Sequence, residues 1–284
     1  MVCRVGAALR RTFLLVAFLA GVSGLANAAA YDDFARGVSA NLQGDPALAV
    51  TSFSAALAAG DLNPTLVPAA YRGRAIAYLR QGQCKNAVGD LDAFIRLKPG
   101  DLQGLELRGR AHACIGDLQA ADADLSQVIA QQQDESLHFV RGLVRWRLKD
   151  FAGSAGDFAD VVAAQPHNGH AVLWLELVRA RGGILDPKIG EQELLGIDSH
   201  DWPEPVIKMF IGDAKPADVS AAALHGDAKV VSDQQCEASF YIAEWWLAQK
   251  DTVSAKPLLE SAVQNCPKNF IEADAARFEL GTLK

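Results

Sequence analysis

The chain has 284 residues, of which half are apolar and 21% charged, and its net charge is −7 from 27 basic and 34 acidic residues. That much apolar material excludes an intrinsically disordered chain, and the length, about twice that of a common domain, leaves two domains or one elongated repeat array. The acidic balance excludes a nucleic-acid binder, which needs a basic surface against phosphate, and disfavours anionic membrane surfaces. Few aromatic residues, abundant alanine and scarce β-branched runs point to helix rather than sheet.

At the N-terminus Arg4, Arg10 and Arg11 precede the apolar run Phe13 to Ala20, and small residues continue to Ala30. This is the three-part pattern of a secretory signal peptide, predicted over 1–28. The small-x-small sequence Ala26-Asn27-Ala28 sets cleavage after Ala28, with Ala30 as the second choice. Gly21, Ser23 and Gly24 break the apolar stretch before it is long enough to span a bilayer, so no stable membrane insertion is expected after cleavage. No cysteine follows the run, and the lipid-attachment site of a bacterial lipoprotein is therefore missing. The expectation is a periplasmic protein. Export would leave Cys84, Cys114, Cys236 and Cys266, an even number that predicts two disulfides among three connectivities.

Over 32–166 small and large apolar residues recur with a period near 34 residues. One copy reads Ala75, Tyr78, Gly82, Ala87, Leu91, Phe94, Pro99; the next reads Gly109, His112, Gly116, Ala121, Leu125, Val128. An earlier copy is Gly37, Gly44, Ala49, Phe53, Ala56, and a later one Gly142, Ser154, Phe158, Val161, Pro166. A fifth follows after a gap, within 234–284: Ala243, Trp246, Ala255, Leu259, Ala262, Pro267. Small residues let two antiparallel helices approach closely, and the larger ones fill the groove towards the next pair. The pattern resembles the tetratricopeptide repeat. That resemblance implies an all-α fold, a right-handed superhelix of antiparallel helix pairs with four units over 32–166 and a fifth near the C-terminus.

In the register of this resemblance Arg36, Arg74, Arg108 and Arg141 share position 7, and Asp90, Asp124 and Asp157 stand on the facing helices of the last three units. An Arg-Asp ladder that fixes helix packing is expected. Arg36 has Ser52 in the place of the acid and is expected to be free. The same register implies the pairing Cys84 with Cys114, at neighbouring ends of antiparallel helices, and Cys236 with Cys266, at the two ends of the last unit.

The repeat breaks over 167–230. Ala171 to Arg181 reads as a helix stopped by Gly182 and Gly183, and prolines at 187, 203, 205 and 216 predict short helices, principally Glu204 to Ile211 and Ala217 to Leu224. The runs from Trp202 to Gly212, Cys236 to Leu247 and Asn269 to Glu272 resemble the C-terminal part of NlpI-type tetratricopeptide proteins of bacterial envelopes. That resemblance implies an adaptor that docks an envelope protease and presents cell-wall hydrolases to it, although NlpI-type proteins carry a lipid anchor. Residues 270–284 are expected to cap the last unit.

No Gly-x-Ser-x-Gly, phosphate-cradling glycine loop, HExxH or paired CxxC occurs. His167 and His170 come nearest to a metal pair, but Pro166, Asn168 and Gly169 place them in a loop. No metal, cofactor or enzymatic activity is expected. An enzyme built on 183–230 around His200 and Asp201 ranks third among the readings. The tetratricopeptide resemblance implies instead a concave face that binds protein segments. Its inward positions hold Arg72, Ile76, Leu79 and Arg80, then Glu106 and Arg110, then Phe139, Leu143, Trp146 and Arg147. Apolar anchors mixed with arginines suit an extended peptide of partly acidic character. The opposing expectation packs Phe139 and Trp146 against the following helix. The carboxylate clamp of one tetratricopeptide subclass is absent, since its further slots hold Ile76, Leu107, Ser136 and Val140. The resulting expectation is an exported adaptor or scaffold for protein or peptide partners; the alternative is a self-associating organiser, homo-oligomeric through Phe240, Tyr241, Trp245 and Trp246.

Overall fold

A computed structural model describes residues 28–132, 134–197 and 202–283. The signal-peptide segment up to residue 27, and His200 with Asp201, lie outside the described residues. Every regular element among the described residues is a helix, and the chain forms two compact units, one ending at Val128 and the other beginning at Ile129. The division falls at the end of the third helix pair.

The first unit pairs α1 (28–43) with α2 (Pro46–Ala58), α3 (Val67–Arg80) with α4 (Cys84–Leu97), and α5 (Leu102–Ile115) with α6 (Leu118–Ile129). Helix starts are fixed by aspartates that satisfy otherwise orphaned backbone N–H groups: Asp45 accepts from Leu48 N and Asp101 from Gly104 N. The turn inside the second and third pairs is made by Gly82 and Gly116, with φ of 69° and 84°. Glycine at these sites avoids the left-handed penalty of other residues.

Close helix approach explains the small residues of the period. The ring of Phe53 lies so near α1 and α3 that a Cβ on Gly37 would meet it at 2.9 Å and one on Gly73 at 2.5 Å. One aromatic side chain thereby ties the first pair to the second. Ala40, Ala49, Ala56, Ala70 and Ala77 fill the space around it, and Ala75, Ala87, Leu91 and Ala111 form a second cluster further along.

The second unit begins with the pair α7 (Glu135–Arg147) and α8 (Phe151–Ala164), followed by α9 (Gly169–Gly182). Helix α9 is buried without interruption from Ala171 to Val178, because α8, α10, α11 and α13 all pack on it. The irregular stretch contains three short helices: α10 (Pro187–Leu194), α11 (Glu204–Ile211) and α12 (Pro216–Ala222). Of these α11 has its expected limits, while α12 is set back by the first-turn Pro216. Helix α10 was not expected, although Asp186 capping Lys188 N, with Pro187 in the first turn, is a legible start signal.

A long helix α13 (Ala228–Ala248), its partner α14 (Thr252–Asn265) and α15 (Ile271–Thr282) complete the unit. Cys236 was expected to open the first helix of this last pair. It lies well inside α13, because Asp227 accepts from Lys229 N and Val230 N and starts the helix earlier. The aromatic surface proposed for self-association is not a surface. Phe240 and Tyr241 are fully buried, and Trp245 and Trp246 are half-buried against the same core.

Candidate protein-binding face

The arginines at position 7 are ion-paired as the register requires. Arg74 grips both oxygens of Asp90 at 2.7 Å, and Arg108 grips both oxygens of Asp124 at 2.8 Å while also reaching Asp92. Such bidentate pairs fix the two helices of a unit in one registration. Arg141 bonds Asp157, which also accepts from Arg145. Arg36 is not free as expected; it pairs with Asp33 one turn back on its own helix at 2.8 Å. Both cysteine pairs come together, with Sγ atoms 1.98 Å apart for Cys84 and Cys114 and 2.02 Å for Cys236 and Cys266.

The inward positions of the first unit are only partly covered, and Leu79 among them packs against the second core cluster. On α3, Arg80 is exposed and Arg72 and Ile76 are half-buried. On α5, Glu106 and Arg110 form an ion pair at 3.0 Å. Sequence reasoning missed the first helix: Val38 and Leu42 occupy the register positions of Ile76 and Arg80, and with Tyr31 they form an exposed apolar stripe on α1. Leu42 is 85% exposed. The same register that selected Ile76 would have found it. Helices α1 and α3 are directly joined here, since the Asn41 amide donates to the Gly73 carbonyl and Arg80 donates to the Asn41 carbonyl.

The fourth pair is different. Trp146, expected to face a ligand, is 1% exposed and lies against Trp174, Phe240 and Phe278. Phe139 packs edge-on to Phe158, Leu143 packs on the same core, and Arg147 lies over the Phe278 ring. The covering side chain Phe278 belongs to α15, so the chain's own C-terminal helix occupies the inner face of this pair. Burial lowers the Arg147 pKa from its ordinary value. Trp146 is core and the other three are half-buried around it, and sequence spacing could not reveal this because the covering helix lies some 130 residues away.

Beneath that cover runs a buried polar network. Arg181 on α9 reaches Glu244 on α13 and Glu279 on α15, and Arg179 reaches Glu176 and Glu193. Burial pushes the Glu176 carboxyl up to about 7 and that of Glu244 to about 8. The Tyr241 hydroxyl donates to Glu272 at 2.7 Å, and desolvation raises both of their pKa values. His170, inside α9 and not in a loop, sits 3.8 Å from Glu237, which raises its pKa, while His167 bonds the Gly196 carbonyl; the two histidines serve separate partners.

His138, Asp157 and Asp160 bring potential ligand atoms within 4.8 Å of one another. Asp157 already accepts from Arg141 and Arg145, so two positive groups stand where a cation would bind, and the cluster is an ion-pair network. An open cleft of about 510 Å³ between α12, α13 and α14 is lined by serines with Gln235 and Asn265 and by no ionisable side chain. A second of about 520 Å³ beside Trp202 has, among the described residues, His225 as its one ionisable group. Neither presents a nucleophile with a base and an orienting group.

Antiparallel helix pairs at a fixed spacing, each needing its neighbour to bury its apolar face, define a helical-repeat protein. Residues 34–101 and 72–136 match the family model of the tetratricopeptide repeat, so this part of the chain is a tetratricopeptide-repeat array. Solved structures carry the fold further. A tetratricopeptide repeat protein from Parabacteroides merdae ATCC 43184 is 16% identical, with a TM-score of 0.59 over 88% of this chain and 98% of its own. Two crystal structures of MamA are similar at 19% and 20% identity, with TM-scores of 0.53 and 0.50, over 59% and 56% of this chain and 91% and 93% of theirs. Among the described residues no helix is long and apolar enough to cross a membrane.

Proposed function

We propose that this protein is an exported, non-catalytic adaptor that holds protein segments on the inner face of its first three helix pairs. The observation that carries the reading is a row on α1, α3 and α5: an exposed apolar stripe at Tyr31, Val38 and Leu42, with the exposed Arg80 and the half-buried Arg72 and Arg110 at the inward positions of the next two pairs. Arginine and aromatic or aliphatic anchors on one face are the composition of a protein-binding surface, and tetratricopeptide arrays are scaffolds of that kind.

Export is supported by two cysteine pairs at bonding distance, an arrangement that persists in oxidising compartments. Cleavage after Ala28 is favoured over cleavage after Ala30, because Ala30 is 1% exposed within the first core cluster and its removal would open that core. In the periplasm the adaptor would bring clients to an envelope protease or cell-wall hydrolase, the role implied by the likeness of its C-terminal part to NlpI-type proteins. Mild crosslinking in envelope extract, followed by capture of the tagged mature protein, tests this. Recovery of a protease or hydrolase that an Arg72→Ala, Arg110→Ala variant loses supports the reading; recovery of the protein alone removes it.

A further inference from the structure

The inner face of the first unit carries positive charge that the chain itself leaves unneutralised. Between the two helices of a pair, Arg74 meets Asp90, and Arg108 meets Asp92 and Asp124. Arg72 and Arg80 are treated differently. Arg72 donates to the amide oxygen of Gln103 at 2.8 Å, and Arg80 to the backbone carbonyl of Asn41 at 2.6 Å. Both acceptors are neutral, and among the described residues neither guanidinium is ion-paired. In a chain of net charge −7 this is a local positive strip.

Ile76 stands between the two, four residues from each, so the three side chains form one line along α3. At 1.5 Å rise per residue successive members are about 6 Å apart, and Arg72 to Arg80 spans about 12 Å. An extended strand places alternate side chains on one face about 6.6 Å apart, so three alternate residues span about 13 Å. The two spacings nearly coincide. We infer that this face recognises extended protein segments of the pattern acid-x-aliphatic-x-acid, laid along α3, with the carboxylates on Arg72 and Arg80 and the aliphatic side chain on Ile76. The guanidinium fork suits carboxylate geometry, and the arginines keep their present bonds through their remaining N–H donors. Leu42, next in sequence to the Asn41 that Arg80 holds, extends apolar surface past one end of the line.

This inference rests on the reading of the face as protein-binding, and the test separates the two. Short labelled peptides centred on Glu-Ser-Leu-Ser-Glu, on its Gln and Lys counterparts, and on a version with one more serine in each gap are titrated into the full mature protein by fluorescence anisotropy. The Glu peptide of matched spacing binds about tenfold tighter than the Gln or respaced peptides, and the Lys peptide binds weakest. Arg72→Gln and Arg80→Gln each remove that preference while the helical circular dichroism of the protein stays that of the wild type. Equal binding of the matched and respaced peptides, or no binding of either, overturns the pattern. If the crosslinked partner is still captured by an Arg72→Gln, Arg80→Gln variant, the pattern fails while the adaptor reading stands; absence of both peptide binding and partner capture removes both.

Discussion

Arg181 joins α9 to α13 by a 2.5 Å contact with Glu244, a carboxylate that is wholly inside the second unit. The same guanidinium reaches Glu279 on α15 at 3.3 Å and lies over the Phe151 ring. One charged group thus fastens the helix that covers the fourth pair. Removing it deprives Glu244 and Glu279 of their arginine, with Glu279 left its bond from Thr282, so Arg181→Met is expected to cost about 1–3 kcal/mol. Urea unfolding of variant and wild type, read at constant slope, measures the loss; a change within about 0.5 kcal/mol would contradict the arrangement.

The buried carboxyls also set a pH dependence. Glu244 and Glu176 have folded-state pKa values raised to about 8 and about 7, against 4.5 for the free side chain. Between those limits the folded state binds more protons than the unfolded one, so stability declines as pH rises. The contribution is complete near pH 4.5 and is lost as pH climbs through 7 and then 8. Thermal midpoints recorded from pH 5 to pH 9 are expected to fall, and Glu244→Gln is expected to flatten the upper part of that slope. A slope unchanged in the variant would place the titration elsewhere.

Each cysteine pair closes a separation of 30 residues. Chain-entropy arguments assign about 3–4 kcal/mol to a loop of that size, less any native strain. Denatured but unreduced protein carrying its leader is expected to show one reactive thiol, Cys3, and the processed chain none. Reduction is expected to lower the melting midpoint, with the Cys84→Ala, Cys114→Ala and Cys236→Ala, Cys266→Ala double variants each reproducing part of the drop.

The hairpin turn that Gly82 and Gly116 make without strain is made in the last two pairs by lysine. Lys149 and Lys250 have φ of 61° and 62°, in the left-handed region that side chains with a Cβ enter at a cost. Lys149→Gly and Lys250→Gly are each expected to stabilise by about 0.5–1 kcal/mol, the relief of strain outweighing the added freedom of the unfolded chain. Destabilisation by either would show that the lysine side chain holds the turn.

Local rules carried most of the helix pairs into view, because small residues at close crossings, such as Gly37 and Gly73 against Phe53, depend only on neighbouring units. The Arg74 and Arg108 pairings and both cysteine pairings were readable for the same reason. Trp146 was not. Its inward position in the repeat is real, but its neighbours Phe240 and Phe278 come from α13 and α15, and a spacing rule cannot say that a distant helix fills a groove. Trp146→Ala is accordingly a core truncation worth about 3–5 kcal/mol, unsuited as a binding control. The early start of α13 and the existence of α10 turn on aspartate caps, Asp227 and Asp186, whose side chains accept from the first-turn N–H groups.

The seating of Phe278 between Trp146 and Arg147 bears on valency. A repeat array usually offers ligands a continuous inner surface, along which several weak contacts add up by avidity. Here Phe278 already occupies the inner face of the fourth pair, so under the proposed function such addition would be open only to the helix pairs of the first unit. A segment held there would reach at most three pairs, and bridging two proteins would call upon the outer helices α2, α4 and α6 for a second hand.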